Sequence, residues 1–96
     1  MRLLAYNTRN KIIDKLEIDE YYIVDKTEDL DDTLYHLQVR FYNMVILHEN
    51  NLKNCLKILQ SNSNSTTAFV ILTTTDDKKF HLKCFKSGAL CVINTP

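Results

Sequence analysis

The chain has 96 residues, 12 acidic and 12 basic side chains, and an apolar content of 45%. A chain of this length forms one domain with one core, and zero net charge argues against bulk electrostatic binding of nucleic acid. The cysteines are odd in number and have no CxxC spacing, which indicates core residues of a reduced, cytoplasmic protein: Cys55, Cys84 and Cys91. No apolar run approaches the roughly 20 residues of a membrane span.

Short apolar runs alternate with segments of helical periodicity along the whole chain. The predicted strands are 1–6, 21–24, 44–47, 68–72 and 90–93. The helices between them are indicated by apolar residues at helical spacing: Ile12, Ile13 and Leu16; Leu30, Leu34, Leu37 and Phe41; Leu52, Cys55, Leu56 and Leu59; Phe80, Leu82, Cys84 and Phe85.

Several residues predict where these helices begin and end. Asn7 and Thr8 can cap the first helix, and Thr75 can cap the fourth. Gly88, the only glycine, suits the left-handed position that closes the fourth helix.

Alternating strands and helices predict an α/β domain over residues 1–96, a doubly wound, five-stranded parallel sheet. No helix follows the fifth strand, so part of one sheet face is expected to be uncovered. The central strand is apolar at four consecutive positions and ends on His48. We expect full burial of four residues in the central strands: Val45, Ile46, Leu47 and Ile71. His48 then lies at the carboxyl edge of the sheet, where open α/β sheets bind ligands.

With these strands and spacings, the whole chain resembles the receiver domain of bacterial two-component response regulators, of the type attached to winged-helix DNA-binding domains. The resemblance rests on Met1-Arg2-Leu3-Leu4, Tyr42 to Leu47, Val70-Ile71-Leu72-Thr73, and Lys86-Ser87-Gly88-Ala89 through Thr95-Pro96. It implies a signal-transduction module that regulates transcription through an attached DNA-binding domain, with the fifth helix absent.

The resemblance also assigns positions at the carboxyl edge of the sheet. In that family an acidic pair holds Mg²⁺, an aspartate accepts a phosphoryl group, and a hydroxyl and a lysine assist. The acidic pair corresponds to Asn7 and Thr8 and the acceptor to His48. The hydroxyl corresponds to Thr73, the lysine to Thr95, and the aromatic switch residue to Val92.

Only Thr73 keeps the chemistry that the family uses. Mg²⁺ prefers anionic oxygen ligands, whereas Asn7 and Thr8 offer neutral oxygens and His48 a nitrogen suited to softer metals. Phosphoryl transfer needs charge neutralised by metal and lysine. We therefore expect no cofactor, no metal and no aspartyl phosphorylation at this pocket, and no enzymatic activity.

Other interpretations of the pocket remain open. His48 can simply fill it, with hydrogen bonds to Asn7, Thr73 or Thr95. A small-ligand sensor using the vacated pocket around these four residues is an alternative. An enzyme with His48 as nucleophile or base is weakest, since only the adjacent Glu49 offers an acid partner.

Apolar residues on the fourth helix exceed what one core face needs. In receivers of this type, the fourth helix and fifth strand, with the fifth helix, form a symmetric dimer face that phosphorylation normally switches on. The resemblance therefore implies a homodimer that needs no signal, with no membrane or small-molecule partner and DNA contacted only through an attached domain. The residues assigned to its face are Phe80, Leu82, Lys83 and Phe85.

Overall fold

A computed structural model describes residues 1–8, 11–61 and 66–95, without the side chain of Ile12. The strands are β1 (Arg2–Tyr6), β2 (Ile23–Thr27), β3 (Met44–His48), β4 (Ala68–Thr73) and β5 (Cys91–Asn94). The helices are α1 (Lys11–Ile18), α2 (Leu30–Val39), α3 (Leu52–Ser61) and α4 (Lys78–Lys86).

The five strands form one parallel sheet in the order β2-β1-β3-β4-β5. The predicted α/β fold with a five-stranded parallel sheet is therefore confirmed. Each strand is linked to the next by a helix, as parallel pairing requires. The carboxyl ends of the three central strands β1, β3 and β4 consequently meet at one edge.

One face of the sheet carries the main core, covered by α2, α3 and α4. Val45, Leu47 and Ile71 are fully buried there, as predicted. Cys55 and Ile58 of α3 pack on the same cluster. Because α3 contacts both other helices of this face, α2 and α4 lie on either side of it.

The opposite face is less well covered, and the prediction that Ile46 is fully buried is wrong. Side chains alternate between faces along a strand, so Ile46 points away from the main core. Its neighbours in register are Ala5 and Val70, and Val70 in turn pairs with Cys91. Ala5 is buried, but Ile46 and Val70 are only half-buried, and Ile93 of β5 is 46% exposed. α1 contributes the buried Ile13, and among the described residues no helix covers β4 and β5 on this side.

Several predicted boundaries shift by a few residues. The second strand begins at Ile23 rather than Tyr21, and α2 ends at Val39, which leaves Phe41 outside the helix and exposed. α4 is capped by Asp77, whose carboxylate accepts the Lys79 amide, and not by Thr75. Both residues are good N-caps, so the local sequence did not discriminate between them.

Two other predicted ends have different outcomes. α1 begins at Lys11, and residues 9–10 directly before it lie outside the described residues, so capping by Asn7 or Thr8 stays a prediction. Gly88 follows α4 with φ of 112°, a left-handed conformation that confirms its predicted helix-closing position.

Within the described ranges, none of the helices has the length and apolar character needed to cross a membrane.

Candidate functional site

The carboxyl ends of β1, β3 and β4 bring the predicted pocket residues to one edge of the sheet. Asn7 and Thr8 follow β1, His48 ends β3, and Thr73 ends β4. Thr95 follows β5 and reaches Thr73, whose carbonyl oxygen accepts the Thr95 amide at 2.7 Å. The structure thus brings the predicted residues to one edge of the sheet, and their hydrogen bonds limit the chemistry available there.

Asn7 and His48 are joined through the backbone of His48 and not through its imidazole. Asn7 adopts a left-handed conformation with φ of 54°, which asparagine tolerates better than most residues. Its side-chain amide donates to the His48 carbonyl oxygen at 3.4 Å. The half-buried His48 ring has no hydrogen-bond partner among the described residues, contrary to the interpretation in which Asn7, Thr73 or Thr95 binds it.

Glu49 is the carboxylate nearest in sequence to His48, and its oxygens are already engaged. Oε1 accepts the Tyr6 hydroxyl at 3.0 Å and the Asn54 side-chain amide at 3.0 Å. Oε2 accepts the backbone amides of Asn50 at 3.0 Å and Asn51 at 3.2 Å. Glu49 thus ties β1 to the start of α3, where a negative charge suits the helix dipole.

The tyrosine bound to Glu49 lies in surroundings that raise its pKa. Burial, together with the hydrogen bond to Glu49 and its negative charge, raises the pKa of Tyr6 to about 12. The Tyr6 hydroxyl donates to Glu49, so this carboxylate oxygen links β1 to the β3–α3 connection. No other carboxylate follows His48 in the β3–α3 connection, so an acid–base partnership with His48 is not favoured.

Asn50 is a site residue that the sequence analysis missed. Its side-chain oxygen accepts the Thr73 hydroxyl at 2.8 Å and the Thr74 backbone amide at 2.8 Å. A backbone amide can only donate, so the atom facing it is the amide oxygen, and the Thr73 hydroxyl must donate as well. The fully buried Thr73 hydroxyl also accepts the Thr75 amide at 3.3 Å. Asn50 therefore holds the end of β4 and the start of the following loop in one arrangement.

The residues at this edge do not fit a magnesium ion. Asn7 and Thr8 supply neutral oxygens, and Glu49 already accepts four donors. The Thr8 hydroxyl oxygen is buried without a hydrogen-bond partner in the described part of the chain, but a lone hydroxyl is a weak ligand. Among the described residues, no group of three histidine, cysteine or acidic side chains is placed to hold a metal.

Three of the four pocket side chains, those of Asn7, Thr73 and Thr95, are already engaged in hydrogen bonds, which disfavours a ligand sensor. Asn7 binds the His48 carbonyl, while Thr73 binds Asn50 and Thr95. Val92, at the aromatic-switch position, packs against the core cluster and lies beside Ile71 in register.

A groove of about 550 Å³ lies away from this edge, along α3. It is lined by Leu52, Lys53, Leu56, Lys57 and Gln60.

The fourth helix divides its apolar residues between core and surface. Phe80 is 5% exposed and belongs to the core cluster, so its assignment to a dimer face is wrong. Its spacing of four from the buried Cys84 is the sequence signal for this stripe. Leu82 and Phe85 are 53% and 46% exposed, and Lys83 is exposed beside them.

Solved structures with this fold include proteins of known type. A two-component response regulator from Clostridium difficile matches with TM-score 0.76 at 14% identity, over 100% of this chain and 84% of that one. An atypical orphan response regulator, described as having a new phosphorylation-independent regulatory mechanism, matches with TM-score 0.73 at 22% identity, over 97% and 80%. The chain has the receiver fold.

The receiver fold is not confined to response regulators. The pilus assembly protein CpaE2 from Sinorhizobium meliloti matches with TM-score 0.73 at 10% identity, over 100% of this chain and 88% of that one. No protein-family model matches the chain, and no curated protein matches it significantly. The likeness thus establishes the fold, and the function must be argued from the residues at the carboxyl edge.

Proposed function

We propose that this chain is a receiver-like regulatory module of an atypical response regulator, and that it acts without phosphorylation and without enzymatic activity. The observation that carries the proposal is the set of side chains at the carboxyl edge of the sheet. The acceptor position holds a histidine, the metal positions hold neutral groups, and the adjacent Glu49 carboxylate accepts four hydrogen bonds. Phosphoryl transfer requires positioned charge that this arrangement does not supply.

The similarity to an atypical orphan response regulator supports this proposal. That protein is described as having a phosphorylation-independent regulatory mechanism, and the match covers 97% of the present chain. The Asn50 contact gives such a mechanism a physical basis here. A side chain permanently supplies the acceptor for the Thr73 hydroxyl, so no transient group is needed to position it.

The proposed output is control of a DNA-binding domain in the same cytoplasmic gene product. This chain has zero formal net charge, and its α4 lysines are accompanied by exposed apolar side chains. Such a surface fits a protein partner better than a DNA backbone. DNA would accordingly be contacted by the attached domain alone.

The proposed module associates with a second copy of itself through α4, with no signal required. Leu82 and Phe85 form the exposed apolar centre of that surface, and truncating or charging a buried interface anchor weakens association. In a dilution series followed by sedimentation, we expect reversible dimerisation of modest affinity. Acetyl phosphate and Mg²⁺ should leave the dissociation constant unchanged.

The paired change Leu82→Glu and Phe85→Glu should abolish this dimer. The matched control is Ile18→Glu with Tyr21→Glu, which charges two exposed apolar residues beside α1 (83% and 64% exposed) and should leave it intact. A protein that stays monomeric up to hundreds of micromolar would contradict self-association. A dimer whose affinity is unchanged by the α4 substitutions would show that the interface does not include Leu82 and Phe85.

A further inference from the structure

The exposed side of α4 combines apolar and positively charged residues. Leu82 and Phe85 are surrounded on the exposed arc of the helix by four exposed lysines: Lys78, Lys79, Lys83 and Lys86. None of these lysines takes part in an ion pair within the described residues, whose ion pairs all involve β1, α1, β2 or α2. We call this surface the basic stripe. It fits a partner that is both acidic and apolar.

The exposed side of α2 has the complementary composition. Tyr35 and Val39 are 55% and 57% exposed, and helical spacing places them between the exposed Asp31 and Asp32. We call these four residues the acidic stripe. Tyr35 and Val39 can pack against the two apolar residues of the basic stripe, Leu82 and Phe85.

The charge asymmetry extends beyond these two helices. Residues 1–50 contain ten of the twelve acidic residues, and residues 51–96 contain two, with six of the twelve basic ones. In the sheet order, α1 and α2 accompany the β2 and β1 side, while α4 accompanies β4 and β5. The domain therefore has an acidic side and a basic side. The acidic side of one copy can pair with the basic side of a second copy.

We propose that, in the self-associated form, the basic stripe on α4 docks on the acidic stripe on α2 of a second copy. A contact of α4 with α4 would instead place four lysines opposite the same four lysines, and like charges across an interface are unfavourable. Pairing α2 with α4 about α3 brings only the exposed Lys53 and Lys57 of α3 near their own copies and gives the four α4 lysines acidic partners. α2 and α4 lie on the same face, on either side of α3. A two-fold axis near α3 would let both copies make the contact at once and close the dimer.

The inference rests on the proposed self-association and names its surfaces. The test is sedimentation or light scattering of the 96-residue chain across a dilution series. Asp31→Lys with Asp32→Lys should raise the dissociation constant about tenfold or more, as should Lys79→Glu with Lys83→Glu, because each opposes like charges at both reciprocal contacts. All four changes in one chain should restore most of the affinity, since the charges are then exchanged and not removed.

The matched control exchanges charges on α1 and in the turn that follows it. Lys15→Glu with Glu20→Lys keeps the net charge and leaves both stripes intact, so its dissociation constant should equal that of the unaltered chain. Thermal unfolding of each variant verifies that α2 remains folded, because Asp31 and Asp32 lie in its first turn. Raising the salt concentration should weaken the unaltered dimer.

The outcomes separate the two proposals. If the chain dimerises but Asp31→Lys with Asp32→Lys has no effect, or the fourfold variant is not restored, the α2–α4 pairing is overturned and self-association stands. If Lys79→Glu with Lys83→Glu alone weakens the dimer, α4 has another partner surface and the pairing is again overturned. If the unaltered chain never dimerises, both proposals fail.

Discussion

Truncating Ile71 to alanine should lower the free energy of unfolding by about 2–5 kcal/mol. Ile71 is fully buried in β4, between the registers of Leu47 on β3 and Val92 on β5. The change removes buried methyl groups and leaves a cavity that strands fixed on both sides cannot close. Since small domains have total stabilities of roughly 5–15 kcal/mol, this loss is a large share of the total.

The matched control for this change is Ile46→Ala, one strand away. Ile46 is the same residue type in the neighbouring strand, but it is half-buried on the sparsely covered face. Less apolar surface is lost there, so we expect clearly less destabilisation, below about 2 kcal/mol. Urea unfolding with midpoint and slope both fitted measures the two changes. Equal losses would show that the two sheet faces are equally buried, against the fold described above.

Replacing Glu49 with alanine should destabilise the domain by about 2–4 kcal/mol, the second largest expected effect. The carboxylate accepts four donors, including the hydroxyl of Tyr6, a residue only 6% exposed. Its loss leaves that hydroxyl unpaired and removes a side-chain acceptor from the amides ahead of α3. Both consequences fall on the edge of the sheet that forms the candidate site.

Two variants resolve the parts of the Glu49 effect. Tyr6→Phe removes only the phenol contact and should cost about 0.5–1.5 kcal/mol. Glu49→Gln keeps one acceptor oxygen, so its loss in free energy of unfolding should lie between the losses of Tyr6→Phe and Glu49→Ala. Urea unfolding gives the three values under identical conditions. A Glu49→Ala variant as stable as the unaltered chain would mean that this carboxylate is free for another role, and an acid–base partnership with His48 would need reconsideration.

The strands and their alternation with helices along the chain could be predicted from the sequence because their signals are strong and local. The apolar run that ends at His48 is bounded by polar residues, and burial of Val45 and Leu47 followed directly from it. The burial of Ile46 could not be predicted from the run itself, since a continuous apolar segment does not reveal how well each face is covered. That coverage depends on which helices pack on each side.

The structure places the predicted residues at one edge of the sheet, but the contacts between them could not be predicted from the sequence. Nothing in the spacing of Asn50 indicates that its side chain reaches Thr73, because the contact joins a loop residue to the end of a strand 23 residues further on. The burial of Phe80 could have been predicted from its spacing of four residues from Cys84. The prediction failed because apolar residues occur on more than one side of this helix. Tertiary hydrogen bonds between polar loops carry no comparable sequence periodicity.

The carboxyl edge of the sheet should not accept a phosphoryl group. The direct measurement is intact-mass spectrometry of the chain after incubation with acetyl phosphate and Mg²⁺, compared with the His48→Asp variant under the same conditions. We expect no added phosphoryl group on the unaltered chain, because Asn7 and Thr8 supply neutral metal ligands and Thr95 replaces the lysine. His48→Asp should also remain unlabelled, since a single carboxylate beside these neutral groups is a poor magnesium site. A labile phosphoryl group mapped to His48 or Glu49 of the unaltered chain would contradict the account.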